Sequence, residues 1–285
     1  MAFTKIQEYI NTGDATPGTS LIPKLILPIL IGEVDKNLIP RELAATVLNG
    51  FEGSTITQDL EAEGTMDIRK VGEGAEVPLD AISYEDVTYS PVKYGIAVRI
   101  TREMIEDSQF NLFEKNIRTA GKRFAENETK LIITALDGAN ATTSGGAQLS
   151  IANITESMQD LEDSDYTPTD MIIGTEVLRD LRNIDTFVEA DKMGNREILQ
   201  RGIVGTLFGM NVVRVTGSTK ALPSTTYRKY AYVLDRAQAY GIAIKRDITI
   251  ENFDLPTFDM QGAAITQRLD VKLLRSKAVS KITTS

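Results

Sequence analysis

The chain of 285 residues has no histidine and no cysteine. Without cysteine it can form neither disulfides nor thiolate metal sites. Without histidine it lacks the commonest general base and the commonest metal ligand, which excludes Ser-His-Asp and Cys-His catalysis. A P-loop and a Gly-x-Ser-x-Gly elbow are also missing. Gly72-x-Gly74 stops before the third glycine of a dinucleotide fingerprint and lies in a turn rather than at a helix start. No long hydrophobic run occurs. The most apolar stretch, Leu21 to Ile31, is interrupted by Pro23, Lys24 and Pro28. It is too short to span a bilayer and lacks the flanks of a signal peptide. Basic charge is in deficit, with 31 Lys and Arg against 40 Asp and Glu. A net charge of −9 favours solubility and argues against tight phosphate-backbone binding. Glu162, Asp163 and Asp165 with Asp170 lack the spacing and closing Glu of a calcium loop, so they read as a solvated acidic loop. Neither a cofactor nor a metal is expected.

What is present begins with a helix. Phe113, Ile117, Ala120, Phe124, Leu131 and Ala135 recur at helical spacing between Asn111 and Gly138, with a polar gap at Glu128. They form one apolar stripe. Asn111 with Glu114 resembles a capping box, and Gly138 is the expected left-handed stop. At about 1.5 Å per residue the helix spans roughly 40 Å, more than a compact domain needs.

Residues 1–20 read as a polar arm. Residues 21–50 are apolar but broken by prolines, so they need a partner surface on their own domain or on a neighbouring chain. Val92, Tyr94, Ile96, Val98 and Ile100 alternate as a strand with one buried face. Thr65–Val71 and Ile82–Tyr89 read as two strands around the turn-rich tip Gly72–Pro78. This long hairpin has few large apolar residues near its tip. A lone hairpin is marginal in water, so a second subunit is the natural surface for it. After a loop at 140–147, helices are expected at Asn153–Glu162 and Thr175–Asn183. Strands are expected at Met171–Ile173, after the glycine-bracketed turn in Gly205–Val215, and at Tyr230–Leu234, Ala239–Ile244, Ile248–Phe253 and Ile265–Leu274. Residues 185–200 read as a surface loop and 276–285 as a polar tail. The fold class is α+β.

Charges cluster in two places. Arg69, Lys70, Glu73 and Glu76 sit in the hairpin, and Arg102, Glu103, Glu106 and Asp107 sit where it meets the long helix. Exposed charges contribute little singly. As a set they suit intersubunit ion pairs that fix register and partner.

Three segments follow one another in a familiar order. They are Lys93-Tyr-Gly-Ile-Ala-Val-Arg-Ile-Thr-Arg-Glu-Met-Ile-Glu-Asp-Ser108, Thr206-Leu-Phe-Gly-Met-Asn-Val-Val213, and Ala231-Tyr-Val-Leu-Asp235 with Tyr240-Gly-Ile242. In order and spacing the chain resembles the major capsid protein of tailed double-stranded DNA viruses, with the HK97-type fold. The resemblance covers about residues 20 to 283. It implies an N-terminal arm (1–53), an extended loop that overlaps a neighbouring subunit (54–92) and a peripheral domain with the long helix as spine (93–147). It further implies an α/β axial domain (148–230) and a return through the axial domain to peripheral strands (231–285). It implies pentamers and hexamers forming an icosahedral shell around double-stranded DNA, a virion protein assembled in the host cytoplasm. Implied partners are other copies of the chain, a portal and decoration proteins, with no membrane. The short arm implies a separate scaffold protein or none. Lys70 lies in the loop that cross-links in some members, but no Asn or Glu partner stands out. An encapsulin-like nanocompartment shell is the alternative, opposed by Pro17, Pro23 and Pro28, which disfavour a long N-terminal cargo helix. An acid-catalysed or metal-dependent hydrolase would need carboxylates converging in a pocket and a hairpin packed on its own body.

Overall fold

The computed structural model describes residues 28–34, 41–62, 68–74, 76–77, 79, 83–101, 103, 112–146, 148–183 and 203–284. Its scaffold is one long helix laid across two sheets. Helix α1 covers residues 28–34, and the spine helix α2 covers Leu112–Leu136. Asn111, the expected cap, lies outside the described residues. The apolar stripe is present but turns along the helix. Its first half buries Ile117, Ala120 and Phe124; its second half buries Glu128, Ile132 and Leu136 and leaves Leu131 and Ala135 half-exposed. The buried face rotates because the helix changes neighbours. The first half meets α1, and the second half meets the junction of the two sheets.

Gly138 does not end the helix as expected. It is not among the residues with positive φ. Its amide instead donates to the Ala135 carbonyl at 3.1 Å, and Ala139 to Leu136 at 3.1 Å, a tightened last turn. A Cβ at this position would stand 3.3 Å from the Ala135 carbonyl oxygen and 3.4 Å from Leu273 Cδ2, so space does not demand glycine there.

The first sheet has four strands in the order β1 (Thr46–Asn49), β10 (Tyr240–Leu255), β11 (Met260–Leu273) and β4 (Val92–Thr101). The two strands expected at Ala239–Ile244 and Ile248–Phe253 are one strand of 16 residues. Register shifts between Ile244 and Arg246, and again between Arg246 and Thr249, break its alternation. That break is why the pattern reads as two. β4 is an edge strand, so its inner face is only partly covered. Tyr94 and Val98 pack inward, while Val92 remains 55% exposed.

The second sheet has six strands in the order β5 (Ala141–Ser144), β12 (Val279–Thr283), β9 (Tyr230–Leu234), β6 (Asp170–Ile173), β8 (Met210–Arg214) and β7 (Ile203–Leu207). Helices α3 (Ile151–Glu162) and α4 (Thr175–Arg182) cover one face, packing Ile154, Leu161, Val177 and Leu181 on Met171, Ile173 and Val233. The opposite face gives Ile172, Tyr232 and Leu234 to the core under α2. α3 starts earlier than expected: Ser150 is its cap, and Asn153 completes a capping box from the third position. β7 and β8 form a hairpin whose turn residues Phe208 and Gly209 both have positive φ, 50° and 84°. The expected polar tail is also a strand. Val279 and Ile282 in β12, which runs between β9 and β5, are fully buried on opposite faces of the sheet, Val279 in the core under α2 and Ile282 in the core under α3 and α4.

The predicted hairpin exists with a different first strand. β2 is Ile56–Glu61 and β3 is Tyr84–Tyr89, paired antiparallel from Ile56↔Tyr89 to Glu61↔Tyr84. Of the expected strand Thr65–Val71, residues 68–71 carry no ladder and the rest lie outside the described residues. The ladder starts at the root with buried Tyr89 opposite Ile56.

Candidate intersubunit surface

The root of the hairpin is tied to the body at several points. Tyr89 is fully buried, and its hydroxyl donates to Gln58 Oε1 at 3.1 Å. Gln58 in turn donates to Thr46 Oγ1 at 3.3 Å. Beneath the phenol lies Gly241, where a Cβ would collide with the Tyr89 hydroxyl. Glycine is therefore needed at that point of β10 for close approach. Burial, with the Asp270 carboxylate nearby, pushes the Tyr89 phenol up to about 12. Asp270 also accepts the Ser90 amide at 2.8 Å, Arg268 donates to the Pro91 carbonyl at 3.2 Å, and Arg275 donates to the Glu61 carbonyl at 2.5 Å. The elbow through which the ribbon leaves the body is thus held from both strands.

Beyond the root the described residues of the extension are exposed. Ile68, Val77, Leu79 and Tyr84 are between 64% and 102% exposed. Arg69, Lys70, Glu73 and Glu76 are exposed in the same stretch. Large apolar groups interleaved with both signs of charge have the composition of a surface awaiting a partner. The four apolar residues correct the expectation of an apolar-poor tip. They were hard to read because they sit among Gly and Pro with no period of 2 or 3.6. Glu103 is exposed, while Arg102, Glu106 and Asp107 lie outside the described residues. A second projection, the turn joining β10 to β11, exposes Leu255 (40%) and Phe258 (67%).

The arm behaves differently. Leu30 and Val34 of α1 are buried against Ile117, Ala120 and Phe124 of α2. The backbones approach closely at Gly121, where a Cβ would stand 2.9 Å from the Leu30 carbonyl oxygen. The partner for this part of the apolar N-terminal segment is its own body. Further along, Arg41 grips Glu128 through two bonds, Nε to Oε1 at 2.7 Å and Nη2 to Oε2 at 2.9 Å. Gln267 Nε2 is 3.5 Å from the same carboxylate. Glu128 is 1% exposed, so the polar gap of the stripe is a buried, paired charge. Its hydrogen bond holds the Arg41 guanidinium above its ordinary pKa.

Two further carboxylates tie elements of the fold together. Asp170 accepts from Asn211 Nδ2 at 3.2 Å and from Thr169, which removes it from the acidic loop at 162–165. Asp137 accepts from Tyr227 at 2.8 Å and Lys281 at 2.5 Å, fastening the end of α2 to β12. Burial first, and then the bond to Asp137, pushes the Tyr227 phenol up to about 12. Among the described residues no three His, Cys, Asp or Glu side chains come together as a metal site. No helix among them is long and apolar enough to cross a membrane.

The sequence model of the phage capsid protein family matches residues 84–282. No curated protein matches the chain by sequence. Solved structures do match by fold. A Microbacterium phage Oxtober96 chain is 14% identical, with a TM-score of 0.64 over 88% of this chain and 92% of that one. The capsid structure of Cyanophage P-SCSP1u is 13% identical, with a TM-score of 0.64 over 88% of this chain and 89% of that one. The crystal structure of a virus-like particle from Pyrococcus furiosus is 12% identical, with a TM-score of 0.60 over 91% and 98%. At these identities the likeness is one of fold.

Proposed function

Because this chain belongs to the phage capsid protein family, we propose that its copies close into an icosahedral shell of pentamers and hexamers around viral double-stranded DNA. Its role is structural, as a repeated subunit of a phage shell, and it is not an enzyme. In this reading residues 1–53 are the arm, 54–92 the loop laid over the next subunit, 93–147 the peripheral domain with its spine, and 148–230 the axial domain. The remaining residues return through the axial domain. The shell belongs to the virion, is assembled in the host cytoplasm, and joins a portal together with any separate scaffold or decoration proteins.

One observation carries the proposal about the hairpin: a rigidly rooted ribbon whose outer half exposes Ile68, Val77, Leu79 and Tyr84. A neighbouring copy would remove that apolar surface from water at about 25 cal/mol per Å². Arg69, Lys70, Glu73 and Glu76, with Arg102, Glu103, Glu106 and Asp107, then select the register of the contact. The nanocompartment alternative draws less support, since the matching family is that of phage capsids. Electron microscopy of the purified protein tests the reading. Closed shells are expected. A solitary monomer whose 62–83 segment is protected against its own body would end it, and a protein cargo in place of nucleic acid would favour a compartment.

A further inference from the structure

The spine helix presents a face that its composition does not suggest. Between Glu114 and Leu136 the exposed charged side chains are Lys115, Arg118, Lys122, Arg123 and Lys130. All three acidic side chains of the helix are turned away from water: Glu114 is 11% exposed, Glu126 2% and Glu128 1%. Arg118 bonds Glu114 and Glu33, and Arg123 bonds Glu126. Lys115, Lys122 and Lys130 have no carboxylate partner among the described residues. At about 100° per residue the five cations fall within roughly 140° of the helix circumference and extend about 22 Å along it. In a protein with a net charge of −9 the exposed charges of this helix are therefore all cationic, and three of them are lysines without a carboxylate partner among the described residues.

We propose that this stripe rests on the phosphate backbone of the enclosed double-stranded DNA, so that α2 forms part of the inner wall of the shell. The proposal rests on the shell reading above. The chemistry of the face selects the occupant. No large apolar side chain is exposed between Glu114 and Leu136, so the aromatic or aliphatic anchors of a protein–protein contact are missing. A line of exposed cations without apolar anchors, its acids turned inward, suits a continuous polyanion, which is held by counterion release and not by sequence. The other face of the same sheet is mixed by comparison, with Asp270 among Lys93, Arg268 and Lys272.

Amine-reactive labelling of DNA-filled and empty particles, read by mass spectrometry, tests it. Labelling of Lys115, Lys122 and Lys130 should fall several-fold in filled particles, while Lys93 and Lys272 label equally in both. Equal labelling of the three lysines in both particle types overturns the inference; if they are protected in both, protein covers the stripe instead. Failure to recover closed particles would count against the shell reading itself. A second measurement uses the unassembled full chain and a short random-sequence duplex. In K115Q/K122Q/K130Q the slope of log affinity against log salt should fall by about 2.7, at roughly 0.9 per phosphate contact. An unchanged slope overturns the inference as well.

Discussion

The two antiparallel ribbons, β10–β11 and β2–β3, share one local grammar and differ in what surrounds them. β10–β11 is flanked by β1 and β4 and covered by α2. Its second strand buries every other residue from Ala263 to Val271. β2–β3 forms a sheet of its own, and only Tyr89 at its root is fully buried. A two-stranded ribbon with neither face covered is marginal in water. The first ribbon takes its stability from the body that contains it. The second is anchored at one end and leaves Ile68, Val77, Leu79 and Tyr84 exposed.

If that comparison is right, mutations should separate the subunit from the assembly. The largest cost to the subunit should come from Arg41→Ala, which strands the Glu128 carboxylate in the core. A loss of about 3 kcal/mol is expected in chemical denaturation. Replacing both residues by Met should cost far less than that single change, because no buried charge remains. Gly241→Ala should cost about 1–3 kcal/mol through the clash with the Tyr89 hydroxyl. The loss should shrink in a Tyr89→Phe background, and a double-mutant cycle measures that coupling.

Alkaline titration gives a smaller effect. The Tyr89 phenol titrates at about 12 when folded, against an ordinary 10. A proton held more tightly in the folded state contributes stability in full below pH 10, and that contribution is lost as pH rises through about 12. On the order of 2 kcal/mol should disappear across this window. Thermal melts of Tyr89→Phe should show a shallower decline.

The smallest effect on the subunit should come from reversing charge at Arg69, Lys70 and Glu73 together. Stability should change by less than about 0.5 kcal/mol, because these groups are exposed. Negative-stain microscopy should nevertheless show impaired assembly. Normal shells would remove the functional half of the comparison.

Much of this architecture was legible in the residues. The spine helix, β4, the two helices of the six-stranded sheet and the existence of an outlying hairpin all follow from periodicity, which is a local property. The errors came where a distant contact overrode the local signal. β10 reads as two strands because bulges interrupt its alternation, although β11 pairs along its whole length. Val279–Thr283 reads as a tail because five residues are too few to declare a strand without β9 and β5 on either side. Glu128 reads as a gap because its partner Arg41 lies 87 residues away. At the candidate interface the charged residues of the tip were visible, but Ile68, Val77, Leu79 and Tyr84 were not, since exposure is not written in an aperiodic segment.

The amino-acid order alone determined that the chain cannot use histidine or cysteine chemistry, that it builds mixed sheets around one long helix, and that it carries an outlying hairpin. Tertiary structure alone decided where that ribbon begins, which charges turn inward and which side of the spine is left cationic. The physical reason is range. Side-chain period is set by neighbours three or four positions away, whereas burial and ion pairing are set by whichever residues the completed fold brings within a few ångströms.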